Sequence, residues 1–228
     1  MINIAANLTK INEEIEIASN KANRSSATVS LLAVSKTKPS QLVQQGYDAG
    51  QRQFGENYVQ EAVDKIHELA HLTDICWHFI GPIQSNKTRL IAENVSWVHS
   101  VDRIKIAKRL NEQRDNNITP LNVCLQVNIS GEQSKSGALI NEVAELADYI
   151  NNCENLTLRG LMAIPENSKD EAVTRKRFKQ MQTLFNQLQH QYPSVDTLSM
   201  GMSGDLAIAI ECGSTMIRVG TAIFGSRS

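Results

Sequence analysis

Proline and glycine are scarce, at 5 and 12 of 228 residues, which leaves little material for a long linker. An excess of one charge sign is missing as well. Lys+Arg count 23 and Asp+Glu 24, a formal net charge of −1. That balance gives no global basic field for a nucleic-acid backbone or an anionic membrane surface. The four cysteines (Cys76, Cys124, Cys153, Cys212) form no C-x-x-C and no Cys/His cluster. A zinc site or a disulfide framework is therefore not expected, and buried free thiols are. No apolar run approaches the roughly 20 residues of a membrane span. The opening MINIAANLTKINEEIEIASNKAN reaches acidic residues too early for a signal peptide. At 41% hydrophobic and 21% charged residues, the composition is that of a soluble globular protein of the cytoplasm.

What is present is a regular alternation. Ile4, Leu8, Ile11, Ile15, Ala18 and Ala22 recur at helical spacing and predict an amphipathic N-terminal helix. Continuous apolar runs of the kind a doubly buried strand needs then alternate with helical patterns. Eight strand ends fall near 35, 56, 81, 100, 128, 163, 201 and 220, and every strand but the last is followed by a helix. Asp102 is read as the cap of the fifth helix, and Gly213 as the C′ terminator of the helix over DLAIAIEC. Eight units over residues 1–228 predict an α/β fold with one (β/α)₈ TIM-type barrel domain and an extra N-terminal helix. An open doubly wound sheet shows the same alternation, and the number of units favours closure.

In such a barrel, reactive groups gather at the C-terminal strand ends. Those ends read SKTK, GEN, GPIQSNK, NISGEQSKSG, SMGMSGD and RVGTAIFG. Lys36 stands at the mouth of a buried strand, where desolvation lowers an amine pKa and lets it attack a carbonyl. The alternative is an ordinary rim lysine paired with a carboxylate such as Glu56. Lys38 and Lys135 are read as solvated loop lysines. Ser203, with Gly201 and Gly204, precedes a helix, and Gly220 with Thr221 follows the eighth strand. Loops after strands seven and eight are a recurrent phosphate site in this fold. A strand-one lysine beside a phosphate cradle suggests a phosphorylated carbonyl compound. His78 and His99 are read as hydrogen-bonded interior or rim residues, His67 and His71 as surface, and Tyr58 as packing. Met162, Met200, Met202 and Met216 are read as mostly core fillers.

The segments AVSKTKP, FGENYVQE, HFIGPIQSNK, VNISGEQSKSG, LRGLMAI, LSMGMSGDL and GSTMIRVGTAIFG resemble the pyridoxal-phosphate homeostasis proteins, from about residue 29 to 225. The resemblance implies the type III fold of pyridoxal 5′-phosphate (PLP) proteins, similar to the barrel domain of alanine racemase. It implies that Lys36 holds PLP as an imine, and that Ser203, Gly220 and Thr221 contact the phosphate. It further implies that Asn57 and Ser199 line the cofactor and that Arg218 faces the pyridine nitrogen.

A guanidinium accepts no proton there, so the electron sink that carbanion chemistry needs is weakened. None of Tyr47, Tyr58, Tyr149 and Tyr192 lies at an obvious strand end to serve as a racemase's second acid or base. The expectation is a monomeric PLP carrier in vitamin B6 and amino-acid homeostasis, without robust catalysis, with PLP-dependent apo-enzymes as candidate recipients. A weak PLP-dependent racemase is the alternative, and a PLP-independent lysine-imine aldolase the third reading.

Overall fold

The apolar runs of the chain become eight strands: β1 Ser30–Val34, β2 Gln53–Glu56, β3 Cys76–Phe79, β4 Trp97–Val101, β5 Leu121–Gln126, β6 Leu156–Met162, β7 Thr197–Ser199 and β8 Met216–Val219. Each pairs in parallel with the next, and β8 pairs with β1, which closes the barrel in sequence order. The computed structural model describes residues 2–131, 136–165, 168 and 170–226, so Lys135 lies outside the described residues. Closure is the outcome that the count of units favoured over an open sheet.

Helix α1 (Ile4–Lys21) starts where the Asn3 side chain accepts the Ala6 N–H at 3.0 Å. Its stripe of Ile4, Leu8, Ile11, Ile15 and Ala18 is buried, and each of those isoleucines and the leucine stabilises the fold by roughly 1.5–3 kcal/mol. The helices between strands are α2 (Ser40–Asp48), α3 (Val59–Glu68), α4 (Thr88–Asn94), α5 (Ile104–Gln113), α6 (Val143–Asn151), α7 (Glu171–Gln191) and α8 (Leu206–Glu211). The α1 stripe packs on α8. Helix α8 ends as expected, with Gly213 at φ 91° in the left-handed region. Among the described residues, no helix is long and apolar enough to cross a membrane.

Several expectations need correction. The cap position of α5 is Arg103, because Asp102 turns its carboxylate to the Arg103 guanidinium at 2.6 Å. A short helix, α9 (Thr221–Phe224), follows β8, where the pattern was too brief to register one. Tyr58 is 52% exposed instead of packed, and Met202 is 41% exposed, while Met162, Met200 and Met216 fill the core. Cys124 and Cys212 are buried, whereas Cys76 and Cys153 are only half-buried, and all four are free thiols. Burial raises the pKa of each.

The loop after β3 crosses the end of β2 at Gly81, where an added Cβ would sit 2.0 Å from the Asn57 carbonyl oxygen. Backbone cannot yield cheaply there. Gly81→Ala is expected to destabilise the protein by about 2 kcal/mol, read as a lower urea midpoint at unchanged m. An unchanged midpoint would show that the loop moves aside freely.

Candidate functional site

The C-terminal rim is built from the turns that leave the strands. After β1, Ser35 donates its N–H to Gly55 O at 3.0 Å, and the chain turns through half-buried Lys36 and through Thr37 at φ 62°. Gly220 lies against this strand end, since a Cβ there would sit 3.0 Å from Val34 O. It opens α9, accepting the N–H groups of Ile223 and Phe224 at 2.9 Å each, and exposed Thr221 is the first residue of that turn. The next loop leaves β7, turns at Gly201 and exposes Ser203 and Gly204 before α8. Asp205 ties it by accepting the Met202 N–H at 2.6 Å. A Cβ on Gly204 would meet nothing within 4 Å, so the space above this loop is open.

Beneath the rim, the barrel interior is polar. Arg218 on β8 is buried and donates to Ser199 O at 2.6 Å, Ser199 Oγ at 2.8 Å and Ala163 O at 2.9 Å. Three of its five N–H donors are thus committed to holding the guanidinium in place. Burial pushes its pKa down to about 10, opposed by the charge of Asp205, so it remains a cation at neutral pH. From Ser199 the chain runs on to His99 Nδ1 at 3.0 Å, and His99 Nε2 meets His78 Nδ1 at 2.9 Å. Trp97 stacks on His78 at 5.3 Å between ring centroids. The four bonded residues belong to β8, β7, β4 and β3, so the chain crosses the interior. Burial drives both imidazoles neutral: His78 falls to about 3, and His99 falls well below its ordinary value with added repulsion from His78 and Arg218.

Arginine can only donate, which sets the direction of the chain. Ser199 Oγ accepts from Arg218, its hydroxyl proton goes to His99 Nδ1, and His99 donates from Nε2 to His78 Nδ1. The reverse arrangement would strand the serine proton as well as a histidine nitrogen. The forward one leaves only His78 Nε2 without a partner among the described residues.

Two further orphans lie at the end of β2, Asn57 Oδ1 and Glu56 Oε2, both buried and without a partner among the described residues. Glu56 is occupied differently from the rim pair considered above. Its Oε1 accepts from Lys65 Nζ at 2.7 Å and from Ser35 Oγ at 2.6 Å. Lys38 is not simply solvated, because its Nζ donates to Ser226 O at 2.6 Å. His67 and His71 are exposed, and no metal-holding cluster of His, Cys, Asp or Glu occurs among the described residues.

Comparison with known proteins settles the lineage. The sequence model of the family described as "Alanine racemase, N-terminal domain" matches residues 6–228. The pyridoxal phosphate homeostasis protein of Vibrio alginolyticus is 54% identical, over 100% of this chain and 99% of that protein. That of Escherichia coli K12 is 51% identical, over 100% of this chain and 98% of that protein. The chain belongs to the pyridoxal phosphate homeostasis protein family. Among solved structures, PipY of Synechococcus elongatus PCC7942, solved with PLP bound, aligns with a TM-score of 0.81 at 36% identity, covering 97% of this chain and 100% of PipY. The alanine racemase of Corynebacterium glutamicum shares the fold alone, with a TM-score of 0.71 at 14% identity, and this chain covers 60% of it.

In this homeostasis-family chain, Lys36, Gly220 and Thr221 gather where β1 meets β8, Ser199 and Arg218 are bonded to each other, and Asn57 lies at the end of β2. Ser203 stands apart from these contacts on the exposed loop after β7. Sequence reasoning did not link His78 and His99 to Ser199 and Arg218, although a histidine in each of two neighbouring strands was the available signal. It also passed over Lys65, whose signal was the i, i+4 spacing from Glu61 on a helix face otherwise buried through Ala62 and Val63.

The two histidines fix a pH response. Their folded pKa values lie below the unfolded 6.5, so the unfolded chain takes up protons first as pH falls. Their contribution to stability is complete above about pH 6.5 and is lost below it, at about 1.4 kcal/mol per pH unit per histidine. Melting scans from pH 7.5 to 4.5 are expected to show a Tm that falls steeply below 6.5, and His78→Gln is expected to flatten that fall. A Tm indifferent to pH across 6.5 to 5 would contradict neutral burial.

Proposed function

We propose that this protein is a PLP carrier of intracellular vitamin B6 homeostasis, holding the cofactor on Lys36 without robust turnover of amino acids. When bound, PLP supplies an aldehyde open to reversible capture by an amine, a phosphate for amide and hydroxyl donors, and a ring nitrogen that accepts a hydrogen bond. The residues fit those three parts. Lys36 offers the amine at the mouth of β1. Gly220 and Thr221 offer phosphate contacts where β1 meets β8, together with first-turn N–H groups that have no intrahelical acceptor, and Ser203 would add its contact from the separate loop after β7. Asn57 brings a buried oxygen without a partner among the described residues, and Ser199 lines the floor.

The observation that carries the reading is Arg218. Three hydrogen bonds hold it, and two N–H donors are left for a ring acceptor. A fixed cation at that place keeps the ring nitrogen unprotonated and works against carbanion chemistry. Three of the four tyrosines are committed away from the role of a racemase's second acid or base, which leaves Tyr58, exposed beside Asn57 at the start of α3, as the one tyrosine open to it. The Tyr47 and Tyr192 hydroxyls are bonded to Asp74 and Asp148, and Tyr149 lies within α6. All proposed contacts come from one barrel, which supports a carrier that acts as a monomer; its proposed place is the cytoplasm and its proposed recipients are PLP-dependent apo-enzymes.

Purified protein is expected to be yellow, and Lys36→Ala to lose the visible band. Retention of the band by that variant would remove Lys36 from its role. In deuterated water, single-enantiomer amino acids are expected to show negligible Cα exchange, and robust exchange would replace the carrier reading with an enzyme. Arg218→Glu, checked for folding by circular dichroism, is expected to raise that exchange about tenfold or more by allowing the ring nitrogen to be protonated. An unchanged rate would mean that Arg218 does not face the ring.

A further inference from the structure

The FGENYVQE segment contributes Asn57 to the proposed site, and its two glutamates have no part in that reading. Both converge on Lys65 of α3. Lys65 is 5% exposed, and its ammonium donates to Ser35 O at 2.7 Å, Glu56 Oε1 at 2.7 Å and Glu61 Oε1 at 2.6 Å. These satisfy all three of its donors. The same two carboxylates also reach the turn. Glu56 Oε1 accepts from Ser35 Oγ at 2.6 Å, and Glu61 Oε1 accepts from the Thr37 N–H at 2.6 Å. The residues immediately before and after Lys36 are therefore both tied to one buried ion cluster. Thr37 pays for its place in the turn with a φ of 62°, a region costly for a β-branched residue, and its N–H bond to Glu61 offsets that cost.

We infer that Lys65 is a positioning residue for Lys36, clamping the backbone on both sides of it through Glu56 and Glu61. A lysine stem is flexible, so the place from which its amine works is set by the main chain that carries it. The cluster also gives Glu56 a cation of its own beside the lysine that captures the aldehyde. This deepens the carrier reading and rests on Lys36 being the capturing amine.

The test has an arm without cofactor and an arm with it. In cofactor-free protein, amide hydrogen exchange of residues 36–38 is expected to rise at least tenfold in Glu61→Ala, with exchange of the barrel strands unchanged. Glu61→Gln keeps an acceptor oxygen and is expected to stay within threefold of wild type. Added PLP, followed by its visible absorbance, is expected to be taken up at least tenfold more weakly by Glu61→Ala. Adding Thr37→Gly to that variant is expected to recover part of the loss, because glycine holds a positive φ without the clamp. Lys65→Met should show the same two effects more strongly; if it does not fold, the Glu61 and Thr37 variants still decide. Uptake within twofold of wild type in Glu61→Ala would overturn the inference, whether or not exchange rises. If Lys36→Ala retains the visible band, the carrier assignment of Lys36 fails and the inference falls with it, a result separable from the exchange arm.

Discussion

The pairing of β8 with β1 is the constraint on which the rest depends. Ser30, Leu31, Leu32 and Ala33 stand in register with Met216, Ile217, Arg218 and Val219, joining the two ends of the chain in one ladder. That ladder sets Arg218 beside Leu32 and brings Gly220 to the end of β1. The neighbouring β7–β8 seam is thin, with a single registered pair, Ser199 and Met216. Other bonds carry the load there. Ser214 Oγ lies within 3.2 Å of three carbonyls, Leu198, Met200 and Met216, and Arg218 is bonded to Ser199 O. Because β7 stops after three residues, the chain that follows is released from the sheet early and can form the open loop of Ser203 and Gly204.

Interiors of small parallel barrels are usually filled by branched apolar side chains. Here a row of Arg218, Ser199, His99 and His78 runs through the middle instead. Such a row is costly unless its members satisfy one another, and three consecutive hydrogen bonds with a single direction of donation do so for all but His78 Nε2 among the described residues. It links strands on opposite sides of the barrel, so the guanidinium at one end is held by the register of the sheet at the other. The α3 cluster does comparable work from outside the barrel. One polar system fixes a cation below the rim, and the other fixes the backbone at the rim.

Much of this architecture was legible in the sequence, and the reason is periodicity. The continuous apolar run VSLLAV, the alternation of LNVCLQVN and the helical spacing of the α1 stripe let strands and helices declare themselves locally. Short elements without a full period do not, which is why α9 was missed and why the cap of α5 was placed one residue early. Among the site residues, Lys36 and the glycine-rich loops were visible as polar breaks after apolar strands. Exposure was harder to read: Tyr58 and Met202 are apolar by type, and only the tertiary arrangement leaves them on the surface. The partners of Lys65 and the order of the His–Ser–Arg row depend on which strands become neighbours and which side of each faces inward. No local window of sequence contains that information.

The scattered thiols noted at the outset have a consequence in redox terms. The thiolate is the form that oxidants and electrophiles attack, and burial suppresses it at Cys76, Cys124, Cys153 and Cys212 alike. At Cys76 and Cys212 burial outweighs the nearby cations Arg159 and Arg175, which pull the other way. Burial thus holds all four thiols toward the protonated form, a weaker nucleophile than the thiolate, so the sulfur of this barrel is kept in its less reactive state.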